Sequence, residues 1–314
     1  MSLDQQTKLF LEQVASKPTR PPDEIPLADF RAALQAFKAL GFEHEHVARV
    51  ENLVVPRSEG PDIPVRLYSP ITGSRTPVIV WAHGGSWVRG DIGLFDTYFR
   101  VLANRSGCAI AAVGYRLAPE TRFPGPVRDV YDAAAWLKRE GTDLGLDTDR
   151  VAAGGESSGG NLAAAAVLLD AERGAVGFVH QTLIVPVLDA RCVSPSWTNF
   201  GTGYLLTREH VLWALEQYAP GVSPTHPLLS PLCAPHHAGL PQTLIMTAEF
   251  DPLRDDGERY AESLRNAGVQ VELRRVEGLI HHSLMVPRVI DLGRRLVEDV
   301  GAALAADLGT TPVR

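Results

Sequence analysis

The chain has 314 residues, of which 45% are hydrophobic and 21% charged, so it can bury a sizeable core and is not an intrinsically disordered chain. Its formal net charge is −7 and it has no block of lysine and arginine, which argues against a nucleic-acid partner. No apolar run approaches the length of a membrane span, and residues 1–6 lack the basic and apolar regions of a signal peptide.

Three cysteines, Cys108, Cys192 and Cys233, are spread through the chain without a C-x-x-C pair. An odd and sparse count argues against a disulfide framework and fits a reducing compartment. We therefore expect a cytoplasmic protein that has no membrane partner.

The first part of the chain predicts helices that precede any strand. Apolar residues recur at helical spacing over residues 4–16 and again over residues 27–40, where the stripe is Phe30, Leu34 and Phe37. Because both helices come before the first strand, we expect them to lie over a sheet that the rest of the chain forms.

From residue 51 onward, strands alternate with helices. β-Branched and aromatic runs predict the strands, and runs with a 3.6-residue period predict the helices. The predicted strands are residues 51–56, 64–68, 76–82, 108–113, 151–153, 178–187, 242–247 and 269–276, and the predicted helices among them are 96–106, 126–140, 161–169, 257–267 and 286–306. This alternation predicts an α/β fold with a mostly parallel central sheet flanked by helices.

The interval between the sixth and seventh predicted strands interrupts this alternation. It contains a predicted helix at residues 207–218 and is rich in aromatic residues. We expect a single domain over residues 1–314, with a helical cap formed by about residues 1–45 and about residues 190–230.

The stretch at residues 150–169 combines an apolar strand, a tight turn and a helix-forming run. The turn contains a G-x-S-x-G pattern with Ser157 at its centre and Gly155 and Gly159 on either side, where a Cβ would block the approach of helix to strand. This pattern is typical of the nucleophile elbow of an α/β-hydrolase, in which a strained turn exposes the serine at the top of the sheet. The alternative is a purely structural glycine turn, and the flanking strand and helix favour the elbow.

A serine nucleophile needs a base and an acid that orients the base, and in this fold the acid precedes the histidine along the chain. The seventh predicted strand runs into a loop that contains Asp251. We favour Asp251 as the acid because Pro252 fixes the turn and ends the strand there. Glu249 and Asp255 are the alternatives.

The eighth predicted strand leads to two adjacent histidines, His281 and His282. We favour His281 as the base and keep His282 as the alternative, because spacing alone does not separate them. The pair is also compatible with a fragment of a metal site, but no cysteine or carboxylate spacing typical of zinc accompanies it. We therefore expect neither a metal nor another cofactor.

A serine hydrolase also needs backbone N–H groups that point at the developing oxyanion. One is expected from Ser158, which follows the nucleophile. The others are expected from the loop His83-Gly84-Gly85-Ser86-Trp87 after the third predicted strand, where glycines let the backbone approach the substrate.

Four motifs carry a resemblance to a known family. They are HGGSWVRGD at residues 83–91, YRLAPE at 115–120, GGESSGGN at 154–161 and DPLRDDG at 251–257. Together and in this order, they resemble the bacterial hormone-sensitive-lipase family (family IV) of esterases, which have the α/β-hydrolase fold. The resemblance covers nearly the whole chain and implies a helical cap. It also allows a homodimer through the edge strand at residues 269–276.

The resemblance implies roles for seven residues. The implied catalytic triad is Ser157, Asp251 and His281. The implied oxyanion hole consists of Gly84, Gly85, Ser86 and Ser158, in which Gly84 supports the turn and the other three supply backbone amides. The chain departs from the family pattern at Ser86, where the third glycine is usual, at Glu156 and Ser158 beside the nucleophile, and at His282 and Ser283 after the catalytic histidine.

The implied activity is that of a serine carboxylesterase acting on small-molecule esters through an acyl-enzyme. Amidase, lactonase or acyltransferase chemistry on the same triad is the first alternative, and a non-catalytic ligand-binding protein is the second. Aromatic residues of the cap suggest a closed apolar pocket for short- to medium-chain acyl groups, although they equally suit an ordinary core: Trp87, Trp197, Phe200, Tyr204 and Trp213.

Overall fold

The computed structural model describes residues 2–15, 20–57 and 60–313. Residues 1 and 16–19, which belong to the predicted first helix and cap, lie outside these ranges. The strands, in chain order, are β1 Arg49–Val55, β2 Ile63–Ser69, β3 Thr76–Ala82, β4 Ala109–Val113, β5 Leu146–Glu156, β6 His180–Ile184, β7 Gln242–Phe250 and β8 Val271–Ile280.

The α-helices are α1 Gln5–Ala15, α2 Leu27–Gln35, α3 Asp96–Ser106, α4 Gly125–Glu140, α5 Ser158–Arg173, α6 Pro195–Phe200, α7 Arg208–Tyr218, α8 Arg254–Asn266 and α9 Asp291–Asp307. Short 3₁₀ turns are Pro22–Glu24, Ala36–Leu40, Gly141–Leu144, Pro231–Cys233 and His281–Met285. None of the helices within the described ranges is long and apolar enough to cross a bilayer.

The eight strands found in the described part of the chain form one sheet in the order β1-β2-β4-β3-β5-β6-β7-β8. The β1–β2 and β2–β4 pairs are antiparallel, and the five remaining pairs are parallel. Strand β8 lies at one edge, as predicted. The predicted α/β fold with a mostly parallel sheet flanked by helices is confirmed.

The strand residues alternate between two cores, one on each face of the sheet. In β3, Val78 and Val80 face the core built by α4, α5 and α8, whereas Ile79 and Trp81 face the core built by α3 and α9. Burial on both faces explains why this strand is a continuous run of apolar residues.

Several element boundaries differ from the sequence prediction; β5, for example, begins at Leu146 and not at Val151. The last helix begins at Asp291, because His281–Met285 forms a 3₁₀ turn and the Arg288 N–H donates to the carbonyl of Leu40 outside any helix. Val286 and Ile290 nevertheless pack against Phe10, so their apolar spacing resembles a helical stripe without being one. Helix α6 was not predicted.

The N-terminal helices and the insertion between β6 and β7 meet over the carboxyl edge of the sheet. Phe30 of α2 packs against Trp213 of α7 with ring centroids 4.7 Å apart. Farther along, Phe37 stacks against His282 at 6.1 Å. The chain before β1 is tied to the sheet directly, since the Asp4 N–H donates to the carbonyl of Gly278 at 3.2 Å.

Candidate active site

Two pairs of neighbouring strands, β3–β5 and β7–β8, lie on either side of β6, and each of these four strands is followed at the carboxyl edge of the sheet by a residue singled out from the sequence. Register pairs Ala82 with Gly155 and Phe250 with Ile280. Because parallel strands present their carboxyl ends at one edge, the loops after β3, β5, β7 and β8 converge there.

Ser157 stands alone between strand β5 and helix α5 in a strained conformation. Its backbone has φ 57° and ψ −121°, a region that side-chain-bearing residues rarely adopt. A Cβ at Gly155 would lie 2.3 Å from the Gly159 carbonyl oxygen, and one at Gly159 would lie 2.0 Å from that of Ala82. Only glycine fits at both positions, so the turn stays tight and the Ser157 side chain projects from it.

The structure brings Ser157, Asp251 and His281 into one hydrogen-bonded chain. Nε2 of His281 lies 2.8 Å from Oγ of Ser157, and its Nδ1 lies 2.8 Å from Oδ2 of Asp251. The second oxygen of Asp251 accepts the Leu253 N–H at 2.9 Å, which fixes the carboxylate. Asp251 and His281 are buried, whereas Ser157 is partly exposed to the cavity described below.

The two alternative acids have other partners. Glu249 is buried and accepts the Gly278 N–H at 2.8 Å, so it braces the end of β8 just before the histidine. Asp255 accepts the Ser196 N–H at 2.8 Å and holds helix α6 against α8. Neither carboxylate contacts the ring of His281.

His282 is buried beside His281 but takes no part in the hydrogen-bonded chain. The two rings are 5.1 Å apart at 74°, and Nδ1 of His282 has no hydrogen-bond partner among the described residues. Burial, together with His281, Arg89 and His210, lowers the pKa of His282 well below its ordinary range, so its ring is uncharged. Within the described ranges, no group of three or more His, Cys, Asp or Glu side chains could hold a metal ion.

The loop after β3 lies beside the elbow, where the oxyanion donors were expected. Gly85 and Ser86 line the same cavity as Ser157, and Ser86 adopts a positive φ of 58° in place of the family's usual glycine. The carbonyl of Gly85 accepts the N–H groups of Val88 and Arg89 at 3.2 and 3.1 Å, which closes the loop into a tight turn. Ser158 begins helix α5, so its N–H belongs to the positive end of that helix.

Gly84 differs from the other members of the expected oxyanion hole, because its N–H is already used. It donates to Oε1 of Glu156 at 2.5 Å, while Nε1 of Trp81 donates to Oε2 at 2.6 Å. Burial raises the pKa of Glu156 from its ordinary value of 4.5 to about 8, although both donors oppose that shift. Glu156 therefore connects the nucleophile elbow to the loop after β3 and holds Gly84 in place.

A small cavity of about 30 Å³ opens over Ser157. Its apolar wall includes Leu34 of α2 and Leu206 of the insertion, and its polar wall includes Glu156, His282 and Arg89. Sequence reasoning did not single out Leu34, Leu206 or Arg89 as cavity residues, because the first two come from segments far from Ser157 along the chain.

His210 of α7 was also missed, and it stands behind Arg89 and Ser86. Its Nε2 lies 3.5 Å from Oγ of Ser86 and 3.4 Å from Nη2 of Arg89. Burial, the Arg89 charge and His281 together lower the pKa of His210 to about 3, so the ring is neutral. The insertion thus contacts the loop that borders the nucleophile.

None of the five aromatic residues expected to line the pocket is among the residues that line the cavity over Ser157. Trp87 and Trp197 are core residues whose indole N–H groups donate internally, to Asn161 at 3.3 Å and to Asp256 at 3.0 Å. The others form an aromatic cluster with Phe250 or line a surface groove, namely Phe200, Tyr204 and Trp213. An indole that satisfies its N–H in the interior has no need to face a ligand.

Comparisons with known proteins agree with this geometry. A family model described as alpha/beta hydrolase fold matches residues 79–285. The chain is 33% identical to an arylesterase of Saccharolobus solfataricus over 97% of its own length and 98% of that protein. It is 36% identical to an ethyl acetate hydrolase of Pseudomonas putida, over 77% of this chain and 78% of that one. A hyperthermophilic esterase from Pyrobaculum calidifontis superposes with a TM-score of 0.90 at 34% identity, covering 98% of this chain and 99% of the other.

Proposed function

The chain belongs to the α/β-hydrolase family and is a serine carboxylic ester hydrolase, and from that premise we propose that it cleaves short- to medium-chain esters at Ser157. The observation that carries the assignment is the chain of two 2.8 Å contacts from Ser157 through His281 to Asp251. In this role Ser157 is the nucleophile, His281 the base and Asp251 the acid that holds the imidazole tautomer.

The proposed reaction proceeds in two halves. His281 takes the proton of Ser157 as Oγ attacks the ester carbonyl, and the oxyanion is held by the amides of Gly85, Ser86 and Ser158. His281 then donates that proton to the leaving alcohol, which leaves an acyl group on Ser157. Water attacks the acyl-enzyme with His281 again as base, which releases the acid and restores the serine.

We also propose that the described parts of residues 1–45 and 190–230 form a cap on a single hydrolase domain. Support comes from the contact of Phe30 with Trp213 and from Leu34 and Leu206, which reach the cavity from the two segments. A cavity of about 30 Å³ lined by both leucines leaves little room for a long acyl chain, so it suits short acyl chains better than long ones. The name of the ethyl acetate hydrolase that resembles this chain points the same way.

A chain-length series of p-nitrophenyl esters, from acetate to dodecanoate, tests this proposal. We expect kcat/KM to be highest for acyl chains of two to six carbons and to fall for longer ones. Ser157→Ala is the matched control, and we expect it to lower kcat by a factor on the order of 10⁶. Retention of most activity in that variant would refute the role of Ser157, and a preference for long chains would refute the short-chain assignment alone.

A cytoplasmic location and a homodimer complete the proposal. All three cysteines are free, which fits a reducing compartment. Strand β8 ends the sheet and leaves one side of its backbone for a second copy. Light scattering of the purified protein tests the dimer, and fractionation of the source cells tests the location.

A further inference from the structure

One charged side chain at the cavity has no oppositely charged partner within the described ranges. Arg89 follows the loop of Gly85 and Ser86, lines the cavity over Ser157, and is only 8% exposed. Burying a charge is costly unless an opposite charge or a full set of hydrogen bonds compensates for it. What contacts the guanidinium therefore indicates what it is there to bind.

The contacts of Arg89 leave its charge uncompensated. Nη1 donates to the Phe30 carbonyl at a long 3.5 Å, Nη2 lies 3.4 Å from the neutral ring of His210, and Nε is buried without a partner among the described residues. The ring of Phe30 lies 4.1 Å from the guanidinium carbon, which supports a cation but does not neutralise it. Burial alone lowers the pKa of Arg89 to about 10, and no carboxylate raises it back, so the group stays charged at neutral pH.

A neighbouring arginine shows what a compensated cation looks like in this fold. Arg31, on helix α2, forms a bidentate ion pair with Glu120 at 2.9 and 2.7 Å and donates to the carbonyls of Val88 and Ala118. The hydrogen bond to Glu120 and the negative charge of that carboxylate raise the pKa of Arg31. Arg31 is thus a structural link between α2 and the loop, whereas Arg89 has no carboxylate partner among the described residues and one donor, Nε, without any partner there.

The other titratable groups at the cavity do not cancel the Arg89 charge. The rings of His210 and His282 are uncharged because their pKa values are lowered. Glu156 has a pKa raised to about 8, so it is mostly protonated at neutral pH, and both its oxygens already accept N–H groups from Gly84 and Trp81. The remaining titratable group is His281, whose two nitrogens face Ser157 and Asp251. The cavity is therefore electropositive at Arg89.

We propose that Arg89 binds a carboxylate carried by the substrate, so that the preferred substrates are esters with a second, negatively charged acid group. Guanidinium matches a carboxylate through paired N–H donors, and such a contact would satisfy Nε, which has no partner among the described residues, and would supplement the long contacts of the Nη groups. The inference rests on the proposed esterase function. The turn at residues 85–89 fixes Arg89 relative to the oxyanion loop, so a bound carboxylate holds the ester carbonyl near Ser157.

Two matched pairs of esters test the proposal and separate an acid group on the acyl part from one on the alcohol part. Monoethyl adipate and ethyl hexanoate differ in having a carboxylate or a methyl at the end of a six-carbon acyl chain. The acetates of 4-hydroxybenzoic acid and of 4-hydroxybenzamide differ only in the charge of the leaving group. We expect the wild-type enzyme to have at least a tenfold higher kcat/KM for the charged member of one pair.

Variants of the two arginines identify the residue responsible. Arg89→Gln should lower the charged-to-neutral ratio of kcat/KM about 100-fold, mainly through KM, and Arg89→Lys should lower it less because the charge remains without the paired donors. Arg31→Gln is the matched control and should change that ratio less than about threefold, because Glu120 already compensates for Arg31. Thermal unfolding of each variant shows whether its fold is intact.

The outcomes distinguish the inference from the function on which it rests. If the wild-type enzyme hydrolyses none of the four esters, the proposed function fails. If it hydrolyses the neutral esters without preferring either charged one, or if Arg89→Gln lowers both members of the preferred pair equally, Arg89 only anchors Phe30 and the inference is overturned. Calorimetric titration of Ser157→Ala with the preferred charged ester provides a readout without turnover, in which adding Arg89→Gln should weaken binding about 100-fold.

Discussion

The carboxyl edge of the sheet and the proposed cap above it hold their side chains in different ways. At the edge, each reacting group follows a strand whose position is fixed by backbone pairing to its neighbours. The cap meets that edge through side chains, such as Phe30 against Trp213 and Phe37 against His282. Backbone pairing fixes the reacting atoms whatever the side chains nearby, whereas side-chain packing changes with each substitution. We therefore expect variants at the edge to change kcat, and variants in the cap to change selectivity.

The largest expected difference between the carboxyl edge and the proposed cap concerns the two adjacent histidines. His281→Ala removes the base between Ser157 and Asp251, so we expect kcat to fall by on the order of 10⁶. His282→Ala removes a neutral ring that stacks on the cap residue Phe37, so we expect kcat to fall no more than about tenfold. Steady-state kinetics on p-nitrophenyl butyrate measures both. Equal losses would show that the two histidines act as one unit.

The next largest expected effect on kcat concerns the acid, Asp251. Asp251→Asn keeps the shape of the side chain but no longer holds the histidine in the reactive tautomer, so kcat should fall about 10⁴-fold. Asp255→Asn is the control, because that carboxylate binds the Ser196 N–H of helix α6 and not the ring of His281. Its kcat should stay within about tenfold of wild type. A larger loss for Asp255→Asn than for Asp251→Asn would move the acid to the alternative position.

Glu156 also lies at the carboxyl edge of the sheet, but its substitution should change the free energy of unfolding more than it changes kcat. Its pKa is raised from 4.5 to about 8, so the folded state holds a proton that the unfolded state has lost between these values. The free energy of unfolding should therefore decline as pH rises from about 5 through 8.

Glu156→Gln removes that titration and also places an amide N–H against the N–H of Gly84 or Trp81, which destabilises the fold by about 1–3 kcal/mol. Urea unfolding of both proteins from pH 5 to pH 9 measures the effect. The variant should be less stable than wild type at pH 5, and its stability should change less than that of wild type between pH 5 and 8. If the wild-type decline persists unchanged in Glu156→Gln, another group is responsible for it.

Residues at the carboxyl edge were the ones that could be predicted from the sequence. Ser157, Asp251 and the pair at 281–282 each follow a predicted strand, and parallel strands necessarily end at one edge. The choice between His281 and His282 was not determined, because it depends on which ring meets Asp251, 30 residues earlier in the chain, and Ser157, 124 residues earlier. Residues so far apart in the sequence come into contact only when the chain folds.

Cap residues were predicted less well, for a physical reason. An aromatic-rich insertion indicates burial but not what the rings face, and Trp197 shows the ambiguity, since its N–H is satisfied by the interior carboxylate of Asp256. Arg89 was present in the motif at residues 83–91, but its lack of a partner became visible only when Phe30 and His210 were placed around it. Whether a charged side chain lacks an ion-pair partner depends on how the chain folds around it, so no sequence pattern reveals it.

The smallest expected effect lies within the cap and compares a residue that reaches the cavity with one that does not. Leu206→Ala removes a buried side chain from the cavity wall. The added room should raise kcat/KM for p-nitrophenyl octanoate relative to butyrate about tenfold.

Trp213→Ala removes a larger side chain that faces a surface groove and Phe30, so it should lower stability and leave the octanoate-to-butyrate ratio within about threefold of wild type. Measuring a ratio within one enzyme preparation separates pocket shape from a partial loss of folded protein. If Trp213→Ala shifts the ratio as much as Leu206→Ala does, the cap changes selectivity through its overall position. In that case, selectivity depends on where the whole cap lies over the carboxyl edge of the sheet, and not on which individual cap side chains reach the cavity.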